Sequence, residues 1–175
     1  MRGVQLIFHP AHSPRAITAV DAYVTRAPKG LMLSYTLAGD INALVLPLKS
    51  TPGRADDLWQ TTCFELFLRG DGSDYREYNF SPSGEWAAYA FDLYREGRRD
   101  IPAAIAIATD SDAGSLNVTA SLATDLTDIT RLALTAVIEE RDGHKSYWAI
   151  AHHAGPLDFH HDACFALHLA DIGAA

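Results

Sequence analysis

Cys63-Phe64-Glu65-Leu66-Phe67-Leu68 is the stretch on which the reading of the fold turns. Phe64, Leu66 and Leu68 fall on one side of a two-residue repeat, and Cys63, Glu65 and Phe67 on the other. Such alternation marks an extended strand, because successive side chains of a strand point to opposite faces. The same period recurs outward in both directions. Ile17, Ala19, Asp21 and Tyr23 alternate with Thr18, Val20, Ala22 and Val24, and Leu31, Leu33, Tyr35 and Leu37 with Met32, Ser34, Thr36 and Ala38. Downstream, Leu116, Val118, Ala120 and Leu122 form one face, and Leu132, Leu134, Ala136 and Ile138 another. Between these runs lies turn chemistry, such as Ala27-Pro28-Lys29-Gly30, Gly70-Asp71-Gly72-Ser73, Ser81-Pro82-Ser83-Gly84 and Asp142-Gly143. Helical signals are thin. Asp125 to Leu132 could hold one turn but carries the β-branched Thr127, Ile129 and Thr130, while Pro102 and alternating Ile105 and Ile107 make 101–109 a strand. The expectation is an all-β chain: an antiparallel β-sandwich or barrel with at most one or two short helical turns.

Composition sets the outer bounds. The 175 residues are 48% hydrophobic and 21% charged, which suits one globular domain spanning 1–175. Fourteen Lys and Arg against 22 Asp and Glu leave a formal charge of −8, so phosphate backbones and anionic lipid surfaces are repelled, and neither nucleic-acid nor membrane-surface partners are expected. No apolar run approaches the roughly 20 residues that span a bilayer. The N-terminal apolar stretch is broken by Gln5 and stops at His9, short of a signal-peptide core, and there are only two cysteines; both features predict a cytoplasmic chain. Residues 47–58 form the longest loop-like segment. Cys164-Phe165-Ala166-Leu167 echoes Cys63-Phe64-Glu65-Leu66, which predicts two strands running close together with buried free thiols.

Residues suited to chemistry gather in 59–95. Glu65 stands mid-strand among large apolar neighbours, where a carboxylate is costly unless it is paired or wetted by a cavity. Glu77 and Asn79, two apart on a strand, point into the same space, and Arg95 could pair with either glutamate. Two readings stay open: a structural salt bridge inside the fold, or a polar floor under aromatic walls, the arrangement that holds sugars by hydrogen bonds to hydroxyls and stacking on ring C–H faces. A second dense region runs through His152, His153, His160 and His161. A metal-dependent enzyme using 152–161 is one hypothesis, because imidazole is a common metal ligand. Adjacent strand histidines face opposite ways, however, and no His-Glu-x-x-His or Cys-x-x-Cys accompanies them, so no metal is expected and His160 or His161 is read instead as a ligand contact. Neither a nucleophile elbow nor a phosphate-binding glycine loop occurs.

Trp59-Gln60-Thr61-Thr62 leading into Cys63–Leu68, followed by Tyr75-Arg76-Glu77-Tyr78-Asn79-Phe80-Ser81-Pro82-Ser83-Gly84-Glu85-Trp86, resembles the DOMON-like domains, which are similar to family 9 carbohydrate-binding modules. Trp148 to His152 and Asp158 to His161 look like the closing part of the same group. The resemblance implies a jelly-roll β-sandwich with a ligand cleft on one sheet. It also implies stacking by Trp59 and Trp86 and a sugar-facing role for Glu65. Haem-binding relatives use Met and His; with only Met1 and Met32 here, no cofactor is expected. The resulting expectation is a non-catalytic module for a carbohydrate or sugar-derived ligand. Trp59 and Trp86 would stack on it, Glu65, Glu77 and Asn79 would bind its hydroxyls, Arg95 would fix the carboxylates, and His160 or His161 would close one side. The alternative is an interaction protein without a ligand that forms a homodimer through a sheet face.

Overall fold

In the computed structural model, which describes residues 1–174, thirteen strands follow the turn chemistry of the sequence. They are β1 (Arg2–Phe8), β2 (Ile17–Ala27), β3 (Gly30–Gly39), β4 (Gly53–Arg54), β5 (Cys63–Arg69), β6 (Tyr75–Phe80), β7 (Glu85–Phe91), β8 (Arg99–Asp100), β9 (Ala104–Ser111), β10 (Ser115–Ala123), β11 (Arg131–Glu139), β12 (Lys145–Ala149) and β13 (Leu167–His168). The β2–β3 hairpin closes at Gly30, whose φ of 150° and close approach to the Leu122 carbonyl leave no room for a Cβ.

Hydrogen bonding runs without a break in the order β4-β7-β6-β5-β11-β12-β1-β2-β3-β10-β9, with β8 on β7 and β13 on β11. β1 joins the two arms of this sheet. Arg2 to Leu6 pair with β2, whereas Ile7 and Phe8 pair with Ala149 and Trp148 of β12. The protein is therefore all-β with one curled, mixed sheet. The expectation of a purely antiparallel sandwich is corrected in two respects: the arms are hydrogen-bonded through β1, and β4 runs parallel to β7.

The curl brings the apolar faces of both arms together. Leu33, Tyr35, Val118 and Ala120 of one arm share a core with Phe64, Leu66, Leu134 and Trp148 of the other. Tyr35 donates to the Glu65 carbonyl across that core at 2.7 Å. Phe64, Leu66 and Leu68 are fully buried here, as their shared parity predicts. The opposite face of β5, β6, β7 and β11 carries a second, smaller core in which Phe67, Tyr75, Phe91 and Val137 meet Phe159, Cys164 and Phe165 of the segment after β12.

Helix is limited, among the described residues, to four single 3₁₀ turns at Ile41–Ala43, Leu58–Gln60, Asp162–Cys164 and Leu169–Asp171, more than the one or two expected. Residues 125–130 form turns rather than helix, closed by Asp125 accepting from the Thr127 amide. The sequence echo also separates. Cys63 begins β5, but Cys164 ends a 3₁₀ turn, and β5 and β13 flank β11 at its Leu132 end, away from Cys63. Both thiols are buried and free. No helix among the described residues is long and apolar enough to cross a membrane.

Candidate functional site

A cleft of about 450 Å³ opens on the face of β5, β6 and β11 that looks away from the main core. Its floor is Glu65, Phe67, Glu77 and Val137. Tyr89 and Phe91 of β7, with Arg95 and Arg98 of the following loop, form one wall. Lys145 and Tyr147 of β12, with the Leu157–His160 segment, form the other. Trp59, on the 3₁₀ turn Leu58–Gln60, stands at this cleft and is 49% exposed.

Strand register creates the floor. Glu65 lies directly opposite Asn79 of β6 on one side and Thr135 of β11 on the other, and Glu77 lies opposite Phe67 and Tyr89. The Thr135 hydroxyl donates to Glu65 Oε2 at 2.8 Å, and the Asn79 amide donates to Glu77 Oε1 at 2.7 Å. Backbone amides in the middle of a sheet are consumed by the ladder, so these carboxyls have only side chains to meet them. Burial and then the charge of Glu77 push the Glu65 carboxyl up to about 8, against the Thr135 bond. Burial also raises Glu77, opposed by its Asn79 bond and by the Arg98 and Arg95 charges. Asn79 is 1% exposed and lies beneath the floor as the support of Glu77.

A hydrogen-bond relay builds the far wall. Arg95 sits at φ 57°, in the left-handed region, and its amide donates to the Tyr75 hydroxyl at 3.1 Å. The phenol also hydrogen-bonds with His160 Nδ1, 2.7 Å away. The other ring nitrogen, Nε2, faces Glu77 Oε2 across 3.8 Å, too long for a hydrogen bond. Burial, with the Arg95 charge, pushes His160 down to about 4 despite Asp158, so this contact joins a neutral ring to the carboxyl and is no ion pair at neutral pH. Tyr75 stacks on Phe91 at 4.6 Å, which holds the relay in place.

Arg95 pairs with Asp158 at 2.7 Å, not with either glutamate as the sequence suggested. Tyr94 also donates to Asp158, at 2.5 Å. Burial alone would raise this carboxyl, but the Tyr94, Arg95 and His160 amide hydrogen bonds outweigh it and hold Asp158 below the usual carboxylate range. The ion pair ties the loop after β7 to the segment after β12 and closes that end of the cleft.

Of the residues singled out from sequence, Trp59, Glu65, Glu77, Arg95 and His160 line the cleft, with Asn79 behind them. Trp86 does not. On β7 the cleft face carries Ala87, Tyr89 and Phe91, and Trp86 falls on the other face, packed against the main core. His161 is also outside: it stacks on His153 at 4.3 Å and caps the 3₁₀ turn Asp162–Cys164 by accepting from Ala163 N. His152 turns to the Ile7 carbonyl at 3.0 Å. Among the described residues no three His, Cys, Asp or Glu side chains converge as a metal site would require. Sequence reasoning missed Tyr89, Arg98, Lys145, Tyr147 and Asp158. Tyr89 was within reach, because it shares the Asn79 face once the β6–β7 register is set.

The chain matches no protein-family model and no curated protein. It does resemble the crystal structure of a candidate carbohydrate-binding protein from Bacteroides uniformis. The TM-score is 0.62 at 12% identity, covering 94% of this chain and 83% of that one. At such identity the likeness is one of fold.

Proposed function

We propose that this chain is a single-domain, non-catalytic module of DOMON-like, jelly-roll type that binds a carbohydrate or sugar-derived small molecule in this cleft. The observation that carries the reading is the floor. Two buried carboxyls, at 3% and 6% exposure, each keep one oxygen without a protein donor at the base of an aromatic-walled opening. Glu77 Oε2 is suited to accept from a sugar hydroxyl and Glu65 Oε1, which carries the proton in the neutral form that burial favours, to donate to a sugar oxygen, while Tyr147 and Trp59 offer ring faces for stacking. A volume of about 450 Å³ lies in the ~300–1,000 Å³ range of small-molecule sites. The fold-level likeness to a candidate carbohydrate-binding protein points the same way. The free thiols of Cys63 and Cys164 suit a cytoplasmic setting, where thiols stay reduced.

The test is calorimetric titration of mono- and oligosaccharides into wild type and Glu65→Ala, with circular dichroism confirming that the variant is folded. Saturable binding that weakens in the variant supports the proposal. Absence of binding to every sugar, or equal binding by folded Glu65→Ala, overturns it. Release of a cleaved product would overturn the non-catalytic part.

A further inference from the structure

The ionisable groups around the cleft do not balance. Asp158 is committed to Arg95 and Tyr94. Burial, and then the charge of Glu77, hold Glu65 toward its neutral form. On the cationic side, Arg98 and Lys145 both line the cleft, and neither forms an ion pair among the described residues. The Arg98 guanidinium lies 4.6 Å from the ring centroid of Tyr89, whose hydroxyl is held by Asp56 at 2.8 Å. Stacking occupies the guanidinium face and leaves its edge donors free. Lys145 Nζ donates only to the Gln60 carbonyl, and Glu139, opposite it in the ladder, does not pair with it. The remaining floor acid, Glu77, feels the charges of Arg98 and Arg95, but with Asp158 it gives two acids against the three cations Arg95, Arg98 and Lys145, a local reversal of sign in a chain of net charge −8.

We infer that the cleft selects an acidic sugar, one bearing a carboxylate or phosphate, with Arg98 and Lys145 receiving the anion while the floor receives the hydroxyls. The inference rests on the sugar reading above and narrows its substrate class. Arg98 is the main anion contact, since its planar fork matches either group with two parallel hydrogen bonds. Lys145, on the opposite wall, adds a point charge. A neutral sugar would leave the edge donors of Arg98 and the Lys145 ammonium without an anion, and an acidic ligand without hydroxyls would leave the two floor carboxyls without a partner for their free oxygens.

The experiment is calorimetry at pH 7 and low salt on the full chain, with glucose, glucuronic acid and glucose 6-phosphate as probes. The acidic sugars are expected to bind at least about tenfold more tightly than glucose, the worth of one charge-assisted contact. That advantage should shrink as salt rises and collapse in Arg98→Gln, while Arg98→Lys retains part of it. Preference for glucuronic acid assigns the anion as a carboxylate, and preference for glucose 6-phosphate assigns it as a phosphate; either supports the inference. Lys145→Met, expected to weaken the acidic sugars less, guards against an Arg98 variant that fails to fold. If glucose binds as tightly as both acids, or the preference survives both substitutions, the acidic-sugar inference is overturned and the sugar reading stands. If none of the three binds and no other sugar does, both fall together.

Discussion

Glu140 and Glu65 are buried to a similar depth, 5% and 3% exposed, but the chain treats them differently. Glu140 lies just past the end of β11, and its Oε1 accepts from two backbone amides, Arg15 N at 2.9 Å and Ala16 N at 3.0 Å. It pins the segment that leads into β2. Glu65 sits in the middle of β5, where neighbouring amides are spent in the ladder, and it has one neutral hydroxyl donor and another glutamate nearby. A carboxylate beside a loop can be satisfied by backbone the loop leaves free. One planted mid-strand cannot, and must find side chains or a visiting molecule. Glu140 is thus an acid the fold uses for itself, whereas Glu65 and Glu77 keep hydrogen-bonding capacity turned toward a cleft.

That contrast can be broken by substitution. Glu140→Ala strands two amides and is expected to destabilise the chain most, by about 3 kcal/mol in urea unfolding, without changing sugar affinity once folded. A loss below about 1 kcal/mol would show that the carboxylate is not what holds the segment. Trp59→Ala should do the reverse: stability within about 0.5 kcal/mol, because the ring is half exposed, but roughly tenfold weaker sugar binding by calorimetry.

The pH dependence of stability sharpens the comparison. Glu65 is pushed up to about 8 in the folded chain, against about 4.5 unfolded. Its stabilising contribution is therefore complete below the unfolded value and is lost as pH rises through the folded one. His160 works in the opposite sense at lower pH. With a folded value near 4 against 6.5, it favours folding above 6.5 and loses that effect as pH falls toward 4. Between pH 6.5 and 8 the Glu65 effect acts alone of the two, and wild type is expected to lose on the order of 1 kcal/mol across it. Glu65→Gln should flatten that slope. Chemical denaturation at several pH values measures it, and an equal slope in the variant would remove Glu65 as its source. The smallest effect belongs to His161→Ala: with its ring outside the cleft on His153, it should leave sugar affinity unchanged and stability within about 0.5 kcal/mol. A clear affinity loss would mean that the cleft extends further than its present lining.

Much of the fold was legible because strand parity is written directly into residue order. The alternation at Ile17–Val24, Leu31–Ala38, Cys63–Leu68, Leu116–Leu122 and Leu132–Ile138 coincides with β2, β3, β5, β10 and β11. Parity also placed Glu77 and Asn79 together. It failed at Trp86, because β7 is apolar on both faces and alternation says which residues share a side, not which side meets the cleft. The same limit applied to His160 and His161: one of two neighbours had to turn inward, and only the packing of Phe67 and Phe91 around His160 decided which. The Cys164 echo misled because a short match carries no knowledge of its partner strand.

Residue order alone determined that this chain would be extended, where it would turn, and that an acid would stand among apolar neighbours in β5. Only the tertiary structure decided that β1 would join both arms into one curled sheet and that Arg95 would answer Asp158. It also decided that Arg98 and Lys145 would meet around that acid from segments 47 residues apart. The division has a physical cause. Alternation and turns are local properties of the backbone, whereas a cleft is made by register and closure between distant segments, which the spacing of residues along the chain does not encode.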